Sequence, residues 1–402
     1  MGGSKVDIKT IVSGRKLTTK QKIIYMIIAA LVVFVPIFFQ GIGQLFLVRI
    51  MGVVGLYVML ALGLNIVVGF AGLLDLGYIA FYAMGAYVGV LVGDVMLKLF
   101  GESFGPYVYF AALPVAALAA AATGIALGTP VLRLRGDYLA IVTLGFGEIV
   151  RILITNDVFG LTNGAAGLPR AGQFIPDPAG LVWLRDNAVF SIGENFNFRF
   201  SNNLYWYFIA VLLCLLTIFV VRRLDDSRLG RSWTAMREDE VAAASVGINI
   251  TSAKLWAFSL GAVWGGVAGL TFANFQQFVS PESFTFMESV FVVCIVVLGG
   301  MGSIPGAIIG AIIIQGIPEL IRGLAQSGIL PLDPGQASLV SNYRYLVFGL
   351  VMVIMMAVRP QGIWPSARRA MELHPDDAKI RDEESQSLWE AQNKTDTADH
   401  DL

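Results

Sequence analysis

Long apolar runs separated by short polar segments dominate the pattern along this chain. A helix needs about 20 apolar residues to cross the hydrocarbon core of a bilayer, and many of the runs approach that length. The predicted spans are residues 23–39, 50–68, 78–97, 106–128, 139–155, 204–221, 255–278, 285–300, 306–321 and 344–358. The pattern therefore predicts an all-α, polytopic membrane protein with about ten transmembrane helices.

Two boundaries between these spans are marked only by glycine and one or two polar residues. They are GFAGLLDLG at 69–77 and GGMGSIPG at 299–306. Glycine-rich interruptions occur both as tight turns and as breaks in helices at membrane depth. Both interpretations stay open for 69–77, whereas the charge distribution favours a turn at 299–306.

That charge distribution predicts the orientation, because cytoplasmic segments of membrane proteins carry an excess of lysine and arginine. Basic residues are concentrated before the first span, between residues 222 and 254, and after the last span, and they are sparse between 156 and 203. Ten spans place a tail at 1–22, a loop at 222–254 and a tail at 366–402 in the cytoplasm. The transmembrane domain is then 23–365, and the loop 156–203 lies outside.

Small residues recur every four positions in three of the predicted spans. The series are Gly85, Gly89 and Gly93; Gly261, Gly265 and Gly269; and Gly306 and Gly310, with Ala307 and Ala311 beside them. On a helix this spacing makes a flat stripe that lets a second backbone come close. Plain packing of the helix bundle is the favoured interpretation, and a mobile helix interface is the alternative.

Composition excludes several functional classes. The chain has 402 residues, of which 56% are hydrophobic and 14% charged, and its net charge of −1 gives no basic footprint for nucleic acid. Both histidines, His374 and His400, lie in the C-terminal tail, and no lysine follows a glycine, so the phosphate-binding G-x-x-x-x-G-K-[ST] loop is absent. We therefore expect no enzyme, no metal and no cofactor in this chain. If the chain takes part in powered transport, the energy must come from an ion gradient or from another subunit.

Few ionisable residues fall inside the predicted spans. Glu148 and Arg151 lie three residues apart on one helical face, which favours a structural ion pair over a gating contact. Asp75 lies in the glycine-rich segment beside Gly77. Solvation or capping of the next span is favoured there over a contact with substrate.

The stretch RSWTAMREDEVAAASVGINITSAK, from Arg231 to Lys254, is polar and rich in alanine although apolar spans flank it. It predicts one short cytoplasmic helix over Trp233–Val246, with Ser232 as N-cap and Gly247 just after its end. Ala242, Ala243 and Ala244 would keep this helix slim enough to enter a groove, and the polar contacts would come from Arg237, Glu238, Asp239 and Glu240. An amphipathic connector on the membrane surface is the equally weighted alternative.

EVAAASVGI, at 240–248, resembles the E-A-A-x-x-x-G coupling-helix signature of ATP-binding-cassette (ABC) importer permeases, with Val241 in place of the first alanine. Longer stretches resemble the branched-chain amino-acid permease family, in family order across about 50–365. They are ALGLNIVVGFAGLLDLGYIAFYAMGAY (61–87), VLRLRGDYLAIVTLGFGEIVRI (131–152), LTNGAAGLP (161–169), VGINITSAKLWAFSLGAVWGGVAGL (246–270) and VVLGGMGSIPGAIIGA (296–311). The 131–152 stretch is similar to the LivM-type branch of that family.

The resemblance implies an importer in the bacterial inner membrane with both termini of this chain in the cytoplasm. Its other parts would be a second permease of the LivH type, two cytoplasmic ATPases of the LivG and LivF type, and a periplasmic amino-acid-binding protein. The fold would be similar to type II permeases, the vitamin B12 type. Arg237, Glu238, Asp239, Glu240, Ala242, Ala243 and Gly247 would form the coupling helix, and Asn65, Gly69, Gly72, Asp75 and Gly77 would line the translocation path.

Two other functions remain open at this stage. Permeases for urea or short-chain amides share much of this pattern, and an ion-coupled secondary transporter can also have ten spans with glycine-interrupted helices. The secondary transporter predicts more ionisable residues inside the membrane than this sequence has. The sequence does not separate leucine, isoleucine and valine from urea.

Overall fold

The computed structural model of the protein describes residues 19–101, 105–131, 134, 136–158, 160–169, 189–192, 196–199, 201–326, 349–355, 357–359 and 362–364. Most of residues 1–22, much of the loop 156–203, the start of the span 344–358 and the tail 366–402 lie outside the described residues. Within them, the membrane-type helices before the predicted cytoplasmic loop are α1 (Thr19–Gly41), α2 (Leu45–Asn65), α3 (Ile79–Phe100), α4 (Gly105–Val131), α5 (Asp137–Thr155) and α6 (Asn202–Asp225).

The second half of the described chain contains two short helices and then a helical core. They are α7 (Arg228–Glu238), α8 (Glu240–Ser245), α9 (Ile250–Gln276), α10 (Phe286–Gly299), α11 (Ile304–Ala311) and α12 (Ile317–Gln326). π-Helical turns at Ile66–Phe70 and Ile312–Gly316 prolong α2 and join α11 to α12. Helical backbone also covers 349–355 and 357–358.

Seven helical stretches in the described part of the chain are long and apolar enough to cross a membrane. They are Leu45–Phe70, Ile79–Phe100, Tyr107–Pro130, Tyr138–Thr155, Asn202–Asp225, Ile250–Gln276 and Ile304–Leu324, and shorter apolar helices occupy Ala30–Gly41 and Phe286–Gly299. The prediction of a polytopic, mainly helical protein is therefore confirmed. The count of about ten spans stays a prediction.

The fold is not purely helical, because four short strands lie between the helices. β1 (Leu168–Pro169) pairs antiparallel with β4 (Phe278–Val279), and β2 (Val189–Ile192) pairs antiparallel with β3 (Phe196–Arg199). The β1–β4 pair ties the segment that follows α5 to the end of α9. Apolar periodicity missed these strands because each has at most four residues.

Helix α9 forms the centre of the bundle and contacts α2, α3 and α4. Its glycine stripe allows these close contacts. A Cβ atom added at Gly269 would lie only 2.1 Å from the carbonyl oxygen of Tyr82, and one added at Gly85 would lie 2.2 Å from the carbonyl oxygen of Gly266. The backbones of α3 and α9 are thus in direct contact, as the four-residue spacing predicts.

The glycine contacts also give the relative directions of the helices. Gly85 meets Gly266 and Gly89 meets Leu270, so α3 and α9 run parallel. Gly52 meets Phe275 and Gly63 meets Gly261, so α2 runs antiparallel to both. The segment 69–77 is therefore a turn between antiparallel helices, and much of it is buried.

Helices α10 and α11 form a tight hairpin. A Cβ at Gly306 would lie 2.5 Å from the carbonyl oxygen of Gly299, and one at Gly310 would lie 2.2 Å from that of Ile295. These pairs define an antiparallel register, so the segment 299–306 is a turn, as the charge distribution favoured. Gly300 and Gly302 take positive φ values of 119° and 77° in this turn, a backbone region that side chains disfavour.

The close contact between α3 and α9 predicts opposite effects for two glycine-to-alanine substitutions. Gly269→Ala introduces a clash with the backbone of α3, which we expect to destabilise the protein by about 1–3 kcal/mol. Gly145→Ala on α5 meets nothing within 4 Å, so the better helix propensity of alanine should leave stability unchanged or slightly raised. Thermal unfolding of both variants in detergent measures the difference, and equal midpoints would contradict the packing described here.

Candidate functional site

The segment between α6 and α9 folds as two helices rather than the single predicted helix. α7 begins earlier than expected, because Ser227 is its N-cap and accepts a hydrogen bond from the Gly230 amide at 3.3 Å. The predicted N-cap, Ser232, instead donates its hydroxyl to the Arg228 carbonyl at 2.8 Å from inside the helix. The prediction of one helix over Trp233–Val246 with Ser232 as N-cap is therefore wrong.

Asp239 separates the two helices. Its backbone is extended (φ −154°, ψ 115°), and its carboxylate accepts hydrogen bonds from the amides of Val241 at 2.7 Å and Ala242 at 3.0 Å. Aspartate is among the preferred N-caps, which explains why a new helix starts here in the middle of good helix formers. Gly247 ends α8 with φ +88°, and its predicted position just after the helix is confirmed.

Three contacts fix these two helices to the membrane core. The Trp233 indole donates to the Ala253 carbonyl at 2.8 Å, and the Lys254 ammonium pairs with the Glu240 carboxylate at 2.7 Å. Arg237 extends from α7 and donates to the Gly69 carbonyl at 2.7 Å. Arg237 and Glu240, which the sequence assigned to contacts with a partner, therefore also hold the segment to this chain.

The opposite side of α8 is exposed and partly apolar. Val241 is 66% exposed and Val246 is 75% exposed, whereas Ala243 is only 3% exposed and faces the rest of the chain. We call the exposed residues Val241, Ala242, Ala244, Ser245, Val246 and Gly247 the α8 surface. Ala243 does not belong to it, so the expectation that Ala243 faces a partner is wrong.

A groove of 390 Å³ lies beside the α8 surface, between the start of α7 and the start of α9. Its lining combines two arginines with polar and apolar side chains, namely Arg228, Leu229, Arg231, Ser232, Ile248, Asn249, Ser252 and Ala253. An exposed apolar helix next to a groove with two arginines suits a protein partner with a complementary cleft and acidic side chains.

The residues proposed for the translocation path pack tightly in the turn that follows α2. Asn65 is fully buried, and its side-chain oxygen accepts from the Gly302 amide at 2.8 Å; a Cβ at Gly69 would lie 2.1 Å from that same oxygen. A Cβ at Gly72 would lie 2.4 Å from the side chain of Arg237. These residues join the turns 69–77 and 299–303 to α7.

Asp75 is fully buried, so the expectation that it is solvated is wrong. Its carboxylate accepts from the Gly77 amide at 2.9 Å and so closes the turn itself, while Tyr78 is the N-cap of α3. The turn packs directly against α5, because a Cβ added at Gly77 would lie 1.9 Å from the Thr143 carbonyl oxygen.

Glu148 and Arg151 form an ion pair within α5. The guanidinium Nε donates to both carboxylate oxygens, at 3.0 and 3.1 Å, and both side chains are partly exposed. A purely structural role for this pair stays a prediction.

One polar pair was missed by the sequence reasoning. The Tyr57 hydroxyl of α2 donates to the Glu288 carboxylate of α10 at 2.5 Å. Glu288 lies inside the predicted span 285–300, and an ionisable residue within a span is a sequence signal that could have identified it as a candidate functional residue. Its spacing from Thr285 has the form of a capping box, and its partner is 231 residues away in the sequence.

Comparison with known proteins identifies the class of protein to which this chain belongs. The family described as branched-chain amino acid transport system, permease component, matches residues 46–356. The chain belongs to this family of membrane permeases. No solved structure matches it.

Individual relatives narrow the similarity. The high-affinity branched-chain amino acid transport system permease proteins LivM of Salmonella typhimurium and of Escherichia coli K12 are each 42% identical to this chain over 370 residues, covering 90% of this chain and 79% of the relative. LivH of Escherichia coli K12, a permease protein of the same named system, is 26% identical over 311 residues, covering 76% of this chain and 90% of LivH. The chain is thus much more similar to LivM than to LivH.

The Lys254–Glu240 pair predicts a stability loss when its carboxylate is removed. Glu240→Gln leaves the 4% exposed Lys254 side chain without its counter-charge, and we expect a loss of about 1–3 kcal/mol, below the about 3–5 kcal/mol of a fully buried pair. The matched control is Glu319→Gln, which breaks an i,i+3 pair whose Arg322 is 47% exposed and should cost less than about 1 kcal/mol. Thermal unfolding in detergent measures both, and a larger effect of Glu319→Gln would contradict the assignment.

Proposed function

We propose that this chain is a permease subunit of an ATP-binding-cassette importer that carries leucine, isoleucine and valine across the bacterial inner membrane. The observation that carries the proposal is the 42% identity to two LivM permeases over 90% of the chain. The chain works as a heterodimer with a second, LivH-type permease. A periplasmic binding protein delivers the amino acid, and two ATPases of the LivG and LivF type supply energy.

The membrane topology in this proposal has ten spans, both termini in the cytoplasm, and an arrangement similar to vitamin B12 type permeases. The relative helix directions support it. In this topology the chain runs towards the cytoplasm in α2 and α6 and away from it in α3 and α9. Helices α3 and α9 should therefore be parallel, as they are in the structure. The proposed topology also makes α2 and α6 parallel, and their contacts agree. Val48 packs near Leu204 at the start of both helices, and the Gly55 carbonyl accepts a hydrogen bond from the Cys214 thiol further along both.

Energy reaches the membrane part through the α8 surface. The cleft of a partner ATPase receives α8, and the Asp239 cap and α7 connect it to Arg237. Arg237 bonds the Gly69 carbonyl, and Asn65, one helical turn earlier, holds the Gly302 amide of the α10–α11 hairpin. Movement of α8 therefore acts on both buried turns at once through direct hydrogen bonds.

Reconstitution distinguishes this function from its alternatives. The complex, purified with its second permease, ATPases and binding protein, should import labelled leucine into proteoliposomes only when ATP is supplied. Import of urea or an amide instead of leucine would move the assignment to the related importers. Uptake by this chain alone, driven by an ion gradient, would make it a secondary transporter.

Substitution on the α8 surface tests the coupling. Val246→Asp places a charge on the docking face of a side chain that is already 75% exposed, so the chain should fold normally. We expect loss of co-purifying ATPase subunits and a fall in uptake of at least about tenfold, equivalent to 1.4 kcal/mol of coupling.

The matched control is Val158→Asp. This valine is 56% exposed and follows α5, remote in sequence from the α8 surface, and in the proposed topology it lies outside the membrane. Its uptake and ATPase content should equal those of the unsubstituted complex. Normal uptake by the Val246→Asp complex would show that α8 is only a surface connector.

A further inference from the structure

The Tyr57–Glu288 pair lies deep within the membrane-spanning part of the chain. Tyr57 is near the midpoint of the 26-residue stretch Leu45–Phe70, roughly 18 Å from each of its ends. Because the Tyr57 hydroxyl and the Glu288 carboxylate are 2.5 Å apart, the carboxylate shares this depth.

A structural role as a helix cap does not explain Glu288. Thr285 is the N-cap of α10 and Glu288 is three positions later, the arrangement of a capping box. In the structure the Thr285 side chain makes no cap hydrogen bond, and the Glu288 carboxylate bonds Tyr57 of another helix instead.

Glu288 also differs from three other acidic side chains in and near the spans. Glu148 is paired with Arg151 and Glu319 with Arg322, while Asp75 is fully buried in a turn. The partner that the structure gives Glu288 is a neutral phenol, and the Glu288 residue is only partly buried. Phe286 is 37% and Met287 52% exposed, so this end of α10 lies at the surface of the chain.

A partly exposed carboxylate at membrane depth is costly against lipid, and such groups face protein or a water-filled path. A second polar side chain lies near the start of α10. The hairpin register brings the π-helical turn Ile312–Gly316 near the start of α10; its Gln315 is buried and has a side-chain oxygen without a partner among the described residues. π-Helical turns are frequent at functional sites.

An aromatic cluster holds the start of α10 in place. The Phe284 ring, just before α10, packs on Tyr82 at 5.2 Å, on Tyr87 at 5.9 Å and on Phe272 at 6.1 Å between ring centres. Tyr82 is also close enough to Tyr57 and Glu288 to interact with them electrostatically. The position of the carboxylate is therefore set by α2, α3 and α9 together.

We propose that Glu288, positioned by the Tyr57 hydroxyl, binds the α-ammonium group of the amino acid as it crosses between this chain and the second permease. The inference rests on the proposed function. An amino acid brings an α-ammonium group as well as its own carboxylate to membrane depth, and a carboxylate of the protein is the natural counter-charge for the ammonium group. Urea and short-chain amides carry no ammonium group, so the same carboxylate offers them no charge pairing.

The test uses the complete reconstituted complex and labelled leucine. Glu288→Gln keeps the size of the side chain and removes its charge, and we expect uptake to fall at least about tenfold while assembly and basal ATPase activity persist. Glu288→Asp should retain part of the uptake, and Tyr57→Phe should lower it less than Glu288→Gln does. Glu282→Gln, at an exposed position before α10, is the matched control and should transport normally.

A second measurement covers the case in which Glu288→Gln does not assemble. Met287→Cys, with Cys214 and Cys294 replaced by alanine, places a thiol beside the carboxylate without changing it. We expect a water-soluble cationic thiol reagent to modify it, and leucine under turnover to slow the modification. A thiol that is unreachable from water, or is not protected by leucine, would overturn the inference.

The outcomes separate this inference from the proposed function. A complex that imports no branched-chain amino acid at all refutes the proposed function. A complex that imports leucine equally well with glutamate or glutamine at position 288 refutes only the role of Glu288.

Discussion

The close contact of the α9 backbone with its neighbours is the constraint on which the rest of the structure depends. Within lipid, apolar side chains gain little by leaving one apolar environment for another, so helices associate through packing and hydrogen bonds. Glycines at 261, 266 and 269 bring α9 against α2, α3 and α4 at distances that no side chain would allow. The Tyr78 hydroxyl adds a hydrogen bond to the Gly261 carbonyl at 2.9 Å, which fixes the start of α3 to α9.

This packing buries much of two turns, so side chains satisfy several of their backbone groups. In the turn 69–77, Thr143 accepts from the Leu76 amide, Ser289 donates to the Leu76 carbonyl, and Arg237 donates to the Gly69 carbonyl. In the turn 299–303, Asn65 accepts from the Gly302 amide. Each turn is thus bonded to at least one other helix, and neither can move without its partners.

The sequence predicted the repeating architecture well, because hydropathy and four-residue glycine spacing are local properties. Helices were found at the predicted positions of α2 to α6 and α9, and the turn at 299–306 followed from counting charges. The break at Asp239 was missed because α-helix propensity is high on both sides of it, and only the capping geometry reveals a new start. Which of the three alanines is buried depends on the rotation of α8 about its axis. The ion pair of Glu240 with Lys254, which lies on the next long helix, fixes that rotation, and Ala243 is the buried one.

The same distinction between local and distant signals applies to the candidate path residues, whose role stays a prediction, and to the Tyr57–Glu288 pair. Glycine-rich motifs attract attention in a sequence, yet here Gly69, Gly72 and Gly77 serve close packing inside one chain. A single glutamate in an apolar run is easily assigned to the nearest helix start, although its contact lies on a helix far away in sequence. Among the described residues the partner of the Glu288 carboxylate is a neutral hydroxyl, and a charge at membrane depth needs a counter-charge, which in our proposal the transported amino acid supplies.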